Sequence, residues 1–273
     1  MRVERRRRLL LLAGAAALLA VAGTIVALVA AADRGSPADL LPNLTQAPPD
    51  DLSGRTEGTA ASPRFFLGFE SAAANLGTGP LVVLGSRPNR RQPNMTLRQV
   101  IRRSDGSSRT VPLRSTMRYV RSADHSHWHV LAFMRYEIRS QDGTRVQRDR
   151  KTGFCLGDRY RPRIDVLDRE PSARFSDRCG KGAPRLLTIR EGISVGWGDN
   201  YAAHLEGQEF EVTKVPAGRY VLVHSVNRRR DLRESDYADN TASMAFDLSW
   251  PRGLKVPPRI DVVARCPGTA TCP

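Results

Sequence analysis

Three of the five histidines in this 273-residue chain alternate along one short stretch, DHSHWHV. They are His125, His127 and His129, with Trp128 between the last two. Alternate side chains of a strand point to the same face, so the imidazoles share one face and Trp128 lies on the other. Neighbouring histidines are about 7 Å apart along the strand, and the outer pair, about 13 Å apart, meet at one ion only where the strand bends or bulges. We therefore predict a metal site on a distorted strand end.

The donor set limits the kind of metal. Three neutral imidazoles, without a thiolate or an obvious carboxylate, suit Cu(II) or Zn(II) better than calcium, magnesium or an iron–sulfur cluster. Three protein ligands leave a coordination position open, which is typical of catalytic or redox sites. Asp124 is a candidate to orient one ligand, and a simple strand-end carboxylate is the alternative. The pattern leaves open a copper redox enzyme, a zinc hydrolase and a non-catalytic copper-binding protein.

The elements that position these histidines are predicted to be short strands. Turn sequences rich in Gly, Pro, Asn and Asp separate runs such as RFFLGFESAAAN, PLVVLG, LRQVIRR, HWHVLAFMRYEIRS and TASMAFDLSW. FEVTKV and RYVLVHSVN flank a PAG turn and predict a β-hairpin. The pattern predicts an all-β fold, an antiparallel β-sandwich with long loops and one or two disulfides.

The four cysteines favour an oxidising compartment. Of the three possible pairings we prefer Cys155 with Cys179 and Cys266 with Cys272. None of the cysteines has CxxC spacing, which argues against a metal–thiolate site.

The N-terminal segment suggests export. A basic head precedes an apolar run from Leu9 to Ala32, so residues 1–32 are predicted to be either a cleaved signal peptide or a retained membrane anchor. The rest is expected to be extracellular or in the cell envelope. Residues 33–61 are predicted to form a flexible linker, 62–250 the folded domain, and 251–273 a C-terminal tail.

The basic residues are almost all arginine. The formal net charge is +15, but no nucleic-acid motif or aromatic-interleaved basic stripe accompanies it, so we expect no nucleic-acid partner. Of the 43 basic residues only four are lysines, a bias that fits a GC-rich bacterial genome. Each lysine is therefore informative; they are Lys151, Lys181, Lys214 and Lys255.

Five segments, in the same order, resemble the lysyl oxidase family of copper amine oxidases. They are RFFLGFESAAANLGTGPL, DHSHWHVLAFMRYEI, KTGFCLGD, GISVGWGDNYAAHLEGQEFEVTKVPAGRYVL and VNRRRDLRESDYADN. They cover about residues 62 to 250. One such segment would be a weak signal, whereas five in order are specific. The resemblance implies a bacterial member that is secreted or anchored to a membrane, with residues 62–250 as its catalytic domain.

The resemblance also implies the cofactors. Copper, as Cu(II), is expected on His125, His127 and His129, and a lysyl tyrosylquinone is expected from a cross-link between Lys151 and Tyr201. A lysine suits this chemistry because its amine loses a proton when desolvated, which arginine does not do at accessible pH. The arginines near Lys151 are expected to lower its pKa further. The alternatives are an exposed strand lysine and a packing tyrosine.

The implied reaction is oxidative deamination of the ε-amino group of peptidyl lysine, or of another primary amine, by molecular oxygen. It yields an aldehyde, hydrogen peroxide and ammonia. Asp199 is the candidate general base by proximity, and turn capping is the alternative. Glu234 and Asp236 are expected to cap backbone groups, and binding of the substrate ammonium is the alternative. His204 and His224 are expected to be surface or core residues, and a ligand role is the alternative. Expected partners are lysine-containing peptides or proteins, small primary amines, oxygen, and the membrane through the N-terminal segment.

Overall fold

The computed structural model describes residues 36–121, 126–149, 151 and 153–273. In these residues every regular element is a β-strand and every pairing is antiparallel, which confirms the predicted fold class. The strands are β1 (Asp39–Leu40), β2 (Leu44–Gln46), β3 (Asp50–Thr59), β4 (Ser62–Asn75), β5 (Leu81–Ser86), β6 (Asn94–Arg103), β7 (Ser108–Arg121), β8 (Ser126–Leu131), β9 (Met134–Ser140), β10 (Arg145–Arg148), β11 (Gly153–Phe154), β12 (Thr188–Ile193), β13 (Gly198–Tyr201), β14 (Glu209–Glu211), β15 (Gly218–Val226), β16 (Thr241–Ser249) and β17 (Arg259–Cys266).

The predicted signal or anchor segment, residues 1–32, lies outside the described residues. Among those that are described, no helix has the length and apolar character needed to cross a bilayer.

The described strands form three sheets. The first has the order β11-β8-β7-β6-β5-β12, with β1 also paired to β6. The second has the order β10-β9-β15-β16-β17. The third is built around the long strand β4, which pairs with β2, β3, β13 and β14. Two strands matter most for function: β8 lies between β7 and β11, and β13 pairs with the C-terminal half of β4.

One apolar core draws side chains from all three sheets. Strand β6 alternates as a half-buried strand should, with Met95, Leu97 and Ile101 buried on one face. Strand β15 is buried at nearly every position because β9 and β16 flank it and both of its faces are covered. Its outward-facing Val221 and Val223 pack in a second cluster near the C-terminus.

The predicted hairpin around the PAG turn is wrong. Strand β14 pairs with β4, whereas β15 pairs with β9 and β16, so the chain changes sheets at the turn. The connecting residues stay attached to β4, since Val212 N donates to Phe65 O (2.8 Å) and Phe65 N donates to Thr213 Oγ1 (2.9 Å). The alternation in both strands reflects burial against different neighbours, which a local turn signal does not reveal.

The run HWHVLAFMRYEIRS is also divided between sheets. Ala132 has a left-handed backbone (φ 61°) that separates β8 from β9. The histidine strand therefore ends in the first sheet, and the aromatic segment after it belongs to the second.

Both ends of the described chain contain strands. Within the predicted linker, β1, β2 and β3 pair with β6 or β4. Strand β3 is almost entirely exposed, so its polar composition resembles that of a linker although its backbone is paired. Within the predicted tail, β17 pairs with β16. The preferred disulfides, Cys155–Cys179 and Cys266–Cys272, are both present.

Candidate active site

A pocket of about 330 Å³ brings together side chains from four separate parts of the sequence. They come from β8, from the segment that begins at Lys151, from residues 178–181, and from β13 and the loop after it. All the predicted site residues that the structure describes line this pocket: His127, His129, Lys151, Asp199 and Tyr201. The predicted ligand His125 and the candidate to orient a ligand, Asp124, lie outside the described residues.

The two described histidines of β8 converge at their ring tips. Their Nε2 atoms are 2.7 Å apart and their ring centroids 4.6 Å apart. His129 is only 8% exposed, and Gly153 lies against it. A Cβ on Gly153 would stand 2.6 Å from the His129 Cβ, so this position accepts only glycine without a shift.

Trp128 occupies the opposite face of β8, as predicted. It is fully buried, its Nε1 donates to Ala183 O (3.1 Å), and its ring meets Tyr119 edge to face at 5.5 Å. The indole therefore fixes the strand from behind while the imidazoles face the pocket.

The histidine pair fits part of a copper or zinc site. Two imidazole nitrogens that approach one point are the donors these ions prefer. Among the described residues no group of three His, Cys, Asp or Glu side chains is placed to hold a metal. A third ligand from His125 thus stays a prediction, as does the distortion of the strand end.

Lys151 reaches the pocket beside Tyr201. Its Nζ lies 4.8 Å from the centroid of the Tyr201 ring and donates to Glu206 O (3.2 Å). Gly207, with a left-handed backbone (φ 77°), packs against the aliphatic stem. Burial lowers the pKa of Lys151 to about 8, against the opposing effect of Asp199. The predicted direction and the predicted role of desolvation are thus correct, whereas the further lowering expected from the neighbouring arginines is not among the causes.

Tyr201 is held at its ring and at its hydroxyl. The ring meets Phe154 edge to face, with centroids 5.1 Å apart. The hydroxyl has two acceptors in range, Asp199 Oδ2 at 2.8 Å and Cys155 O at 2.9 Å. Burial raises the pKa of this phenol well above its ordinary value, and the Asp199 carboxylate raises it further.

Asp199 lies in strand β13 and is 1% exposed, so it is not a turn cap. Besides the phenol of Tyr201, its Oδ2 accepts a hydrogen bond from Gly157 N (3.3 Å). The Arg159 Nε lies 3.9 Å from Oδ1. Burial raises the pKa of Asp199 to about 7, although the Tyr201 hydrogen bond and the Arg159 charge act against it. This carboxyl therefore titrates near neutral pH, where its carboxylate form accepts the hydrogen bond of the phenol.

Sequence reasoning missed three cations in the same pocket, Arg159, Arg178 and Lys181. A signal for them was present, since Arg178 and Lys181 flank Cys179, and the preferred disulfide partner of Cys179 is Cys155. That pairing alone places the R-C-G-K segment near the Lys151 region.

The residues expected to be structural are structural. Glu234 is buried and accepts a hydrogen bond from Leu44 N (2.6 Å), and Asp236 accepts one from Ala238 N (2.9 Å). His204 is exposed. His224 is fully buried between aromatic rings, and its burial lowers its pKa to about 3.

The sequence matches a known protein family and individual members of it. Residues 89–250 match the family model described as Lysyl oxidase. Lysyl oxidase homolog 2A of Danio rerio is 32% identical over 117 residues, which are 42% of this chain and 14% of the relative. Lysyl oxidase homolog 3 of Homo sapiens is 31% identical over 117 residues, again 42% and 14%. Lysyl oxidase homolog 2 of Xenopus tropicalis is 27% identical over 163 residues, or 58% and 19%. In each case the match spans less than a fifth of the relative.

Proposed function

Because the chain belongs to the lysyl oxidase family, we propose that it is a copper-dependent amine oxidase whose quinone cofactor forms from Lys151 and Tyr201. The observation that carries this proposal is the 4.8 Å separation between the Lys151 Nζ and the Tyr201 ring centroid. The two side chains come from distant segments and meet in the pocket that also contains His127 and His129.

The proposed copper ligands are His125, His127 and His129. When bound, copper would supply one-electron chemistry with oxygen. Imidazole donors suit this role, and the convergent Nε2 atoms of His127 and His129, in the pocket that Tyr201 also lines, support it.

Neighbouring groups adjust the protonation and the position of Tyr201 and Lys151 for the proposed cross-link. Asp199 accepts a 2.8 Å hydrogen bond from the phenol of Tyr201 and is placed to take its proton as the ring is oxidised, and its pKa of about 7 leaves a large share of carboxylate at neutral pH. Lys151, with a pKa of about 8, has about a tenth of its amine in the neutral, nucleophilic form at pH 7. Its hydrogen bond to Glu206 O keeps the amine near the ring.

The proposed reaction converts a primary amine, oxygen and water into an aldehyde, ammonia and hydrogen peroxide. The proposed substrate is the ε-amino group of a lysine in a peptide or protein, or a small primary amine. A volume of about 330 Å³ is sufficient for an extended alkylamine. Asp199 is the proposed base that removes the proton from the carbon next to the substrate nitrogen.

The position of Lys151 favours this function over the two alternatives. A zinc hydrolase needs a metal-bound water, and a copper-binding protein without activity needs only ligands. Neither requires an amine of lowered pKa above a buried phenol.

We further propose that the protein is exported, through residues 1–32 as a signal peptide or anchor. The two disulfides fit an oxidising compartment.

The test is to purify the protein with copper, denature it and stain it for redox-cycling quinone, with mass spectrometry of the peptides that contain Lys151 and Tyr201. Wild type is expected to stain and to yield a cross-linked peptide pair. Tyr201→Phe and Lys151→Arg are expected to do neither. Tyr220→Phe and Lys214→Arg are the matched controls, because Tyr220 lies outside the pocket lining and Lys214 is exposed. Copper-loaded wild type without stain or cross-link would refute the proposal.

A further inference from the structure

The entrance of the active-site pocket is strongly basic. Arg178 and Lys181 are exposed and belong to one turn, residues 178–182, which we call the rim turn. With Arg159 and Lys151 they contribute four cations to the described lining. Asp199 is the one carboxyl residue of that lining, and it is 1% exposed. The surface that an incoming substrate meets is therefore cationic.

The charges of the rim turn are not neutralised within the described part of the chain, where neither Arg178 nor Lys181 takes part in an ion pair. Elsewhere arginines commonly pair with carboxylates. Glu137, for example, lies 2.6 Å from the Arg139 guanidinium. Exposed cations that the fold leaves unpaired are available to an external anion.

The rim turn is held rigidly against the site. Trp128 N donates to Cys179 O (2.9 Å), and Gly182 N donates to Ser126 O (2.8 Å). The disulfide from Cys179 to Cys155 attaches the turn to the other side of the pocket. A ligand therefore meets cations on a backbone that is already ordered, which reduces the entropy lost on binding.

A cationic entrance is unfavourable for an isolated alkylammonium, because like charges repel. For a substrate with carboxylates beside its amine, the electrostatic interaction with the entrance is attractive instead. The carboxylates pair with Arg178 and Lys181, and the amine enters toward Lys151 and Tyr201. The guanidinium of Arg178 also matches a carboxylate in geometry.

We propose that the rim turn selects amines flanked by acidic groups, so that the preferred substrate is a lysine with neighbouring Asp or Glu residues. The identification of the amine rests on the proposed amine oxidase function. Recognition of the acidic flank requires neither copper nor quinone, so it can be measured separately.

The experiment measures binding of two fluorescent peptides, Glu-Glu-Lys-Glu-Glu and Gln-Gln-Lys-Gln-Gln, to the copper-free protein by anisotropy. The acidic peptide is expected to bind more tightly. Arg178→Gln with Lys181→Gln is expected to weaken its binding roughly fivefold to twentyfold, the combined effect of two exposed ion pairs. Arg178→Glu with Lys181→Glu is expected to shift the preference to a third peptide, Arg-Arg-Lys-Arg-Arg, whose binding is measured in the same way.

The matched control is Arg252→Gln with Lys255→Gln, which changes the charge equally. These residues are also an exposed arginine and lysine three positions apart, and they lie outside the pocket lining. This variant should bind the acidic peptide as wild type does. Equal loss in the control would show attraction by net charge alone and would overturn the proposal, as would equal affinity of wild type for both peptides.

Failure of this inference and failure of the proposed function give different results. If the copper-loaded enzyme oxidises both peptides with equal kcat/KM and binds them equally, the function stands and the selectivity fails. If the acidic peptide binds through the rim turn but no quinone forms, the binding inference stands and the amine oxidase proposal fails.

Discussion

The amine of Lys151 stands over the ring of Tyr201, with Nζ 4.8 Å from the ring centroid. The tyrosine is fixed at its hydroxyl and by Phe154, whereas the lysine is a flexible chain held at its tip by one hydrogen bond. For the proposed cross-link we therefore expect the lysine side chain, rather than the tyrosine, to make the larger movement.

The pH dependence of Lys151 provides a first prediction. Burial lowers its pKa to about 8, so its neutral fraction rises steeply between pH 7 and 9. Competitive acetylation of the copper-free protein, followed by mass spectrometry, should give half-maximal labelling of Lys151 near pH 8. Lys214 and Lys255 are exposed reference amines in the same digest. A Lys151 labelling curve that coincides with theirs would contradict the prediction.

The variant Asp199→Asn should distinguish the role of this side chain as a base from its structural role. Asparagine keeps the size but cannot take the phenol proton, so cross-link formation should slow by roughly a hundredfold or more. The rate is measured by the appearance of the cross-linked peptide after copper is added. A rate within a factor of three of wild type would exclude Asp199 as the base. Asp142→Asn, at an exposed loop carboxylate, is the control.

The same variant should change how stability depends on pH. The pKa of Asp199 is raised from 3.8 to about 7, so the folded state favours the protonated form. The contribution of Asp199 to the free energy of unfolding is fully present below pH 4 and is lost as the pH rises toward 7. The loss is roughly 4 kcal/mol for a shift of about three pK units. Asp199→Asn lacks this loss, so its free energy of unfolding relative to wild type should rise between pH 4 and pH 8. Urea unfolding at both pH values measures the difference, and parallel curves would rule it out.

Gly153→Ala should weaken metal binding. The added Cβ would stand 2.6 Å from the His129 Cβ, and the imidazole must move to relieve the contact. We expect a loss in copper affinity of roughly tenfold to a hundredfold, comparable to removing a group that orients a ligand. Competition with a chelator provides the measurement. Gly54→Ala is the control, because a Cβ there meets nothing within 4 Å. Unchanged affinity would show that His129 is not a ligand.

Metal exchange should distinguish redox from hydrolytic chemistry. Protein made without copper should contain Lys151 and Tyr201 as separate residues, and addition of copper in air should join them. Zinc should bind the same histidines without joining them, because it has no redox chemistry. Mass spectrometry of the peptides that contain Lys151 and Tyr201 shows whether they are joined. Cross-linking with zinc alone would contradict the copper requirement.

The sequence predicted what depends on local pattern. Strand periodicity placed His127 and His129 on one face and Trp128 on the other, and the structure agrees. Strand periodicity did not reveal which strands pair, because β14 and β15 show the same alternation but belong to different sheets. That Lys151 would meet Tyr201 followed from family resemblance and not from spacing. Arg178 was missed because it lies in a turn without periodicity, although the predicted pairing of Cys155 with Cys179 indicated its neighbourhood.

Cys155 has two roles on one residue. Its sulfur is bonded to Cys179, and its carbonyl oxygen lies 2.9 Å from the Tyr201 hydroxyl. The residue whose carbonyl oxygen faces the Tyr201 hydroxyl is thus the residue that the disulfide anchors. Oxidation of the Cys155 and Cys179 thiols therefore also fixes the carbonyl oxygen that faces the Tyr201 hydroxyl, so the disulfide supports the tyrosine site as well as the loop.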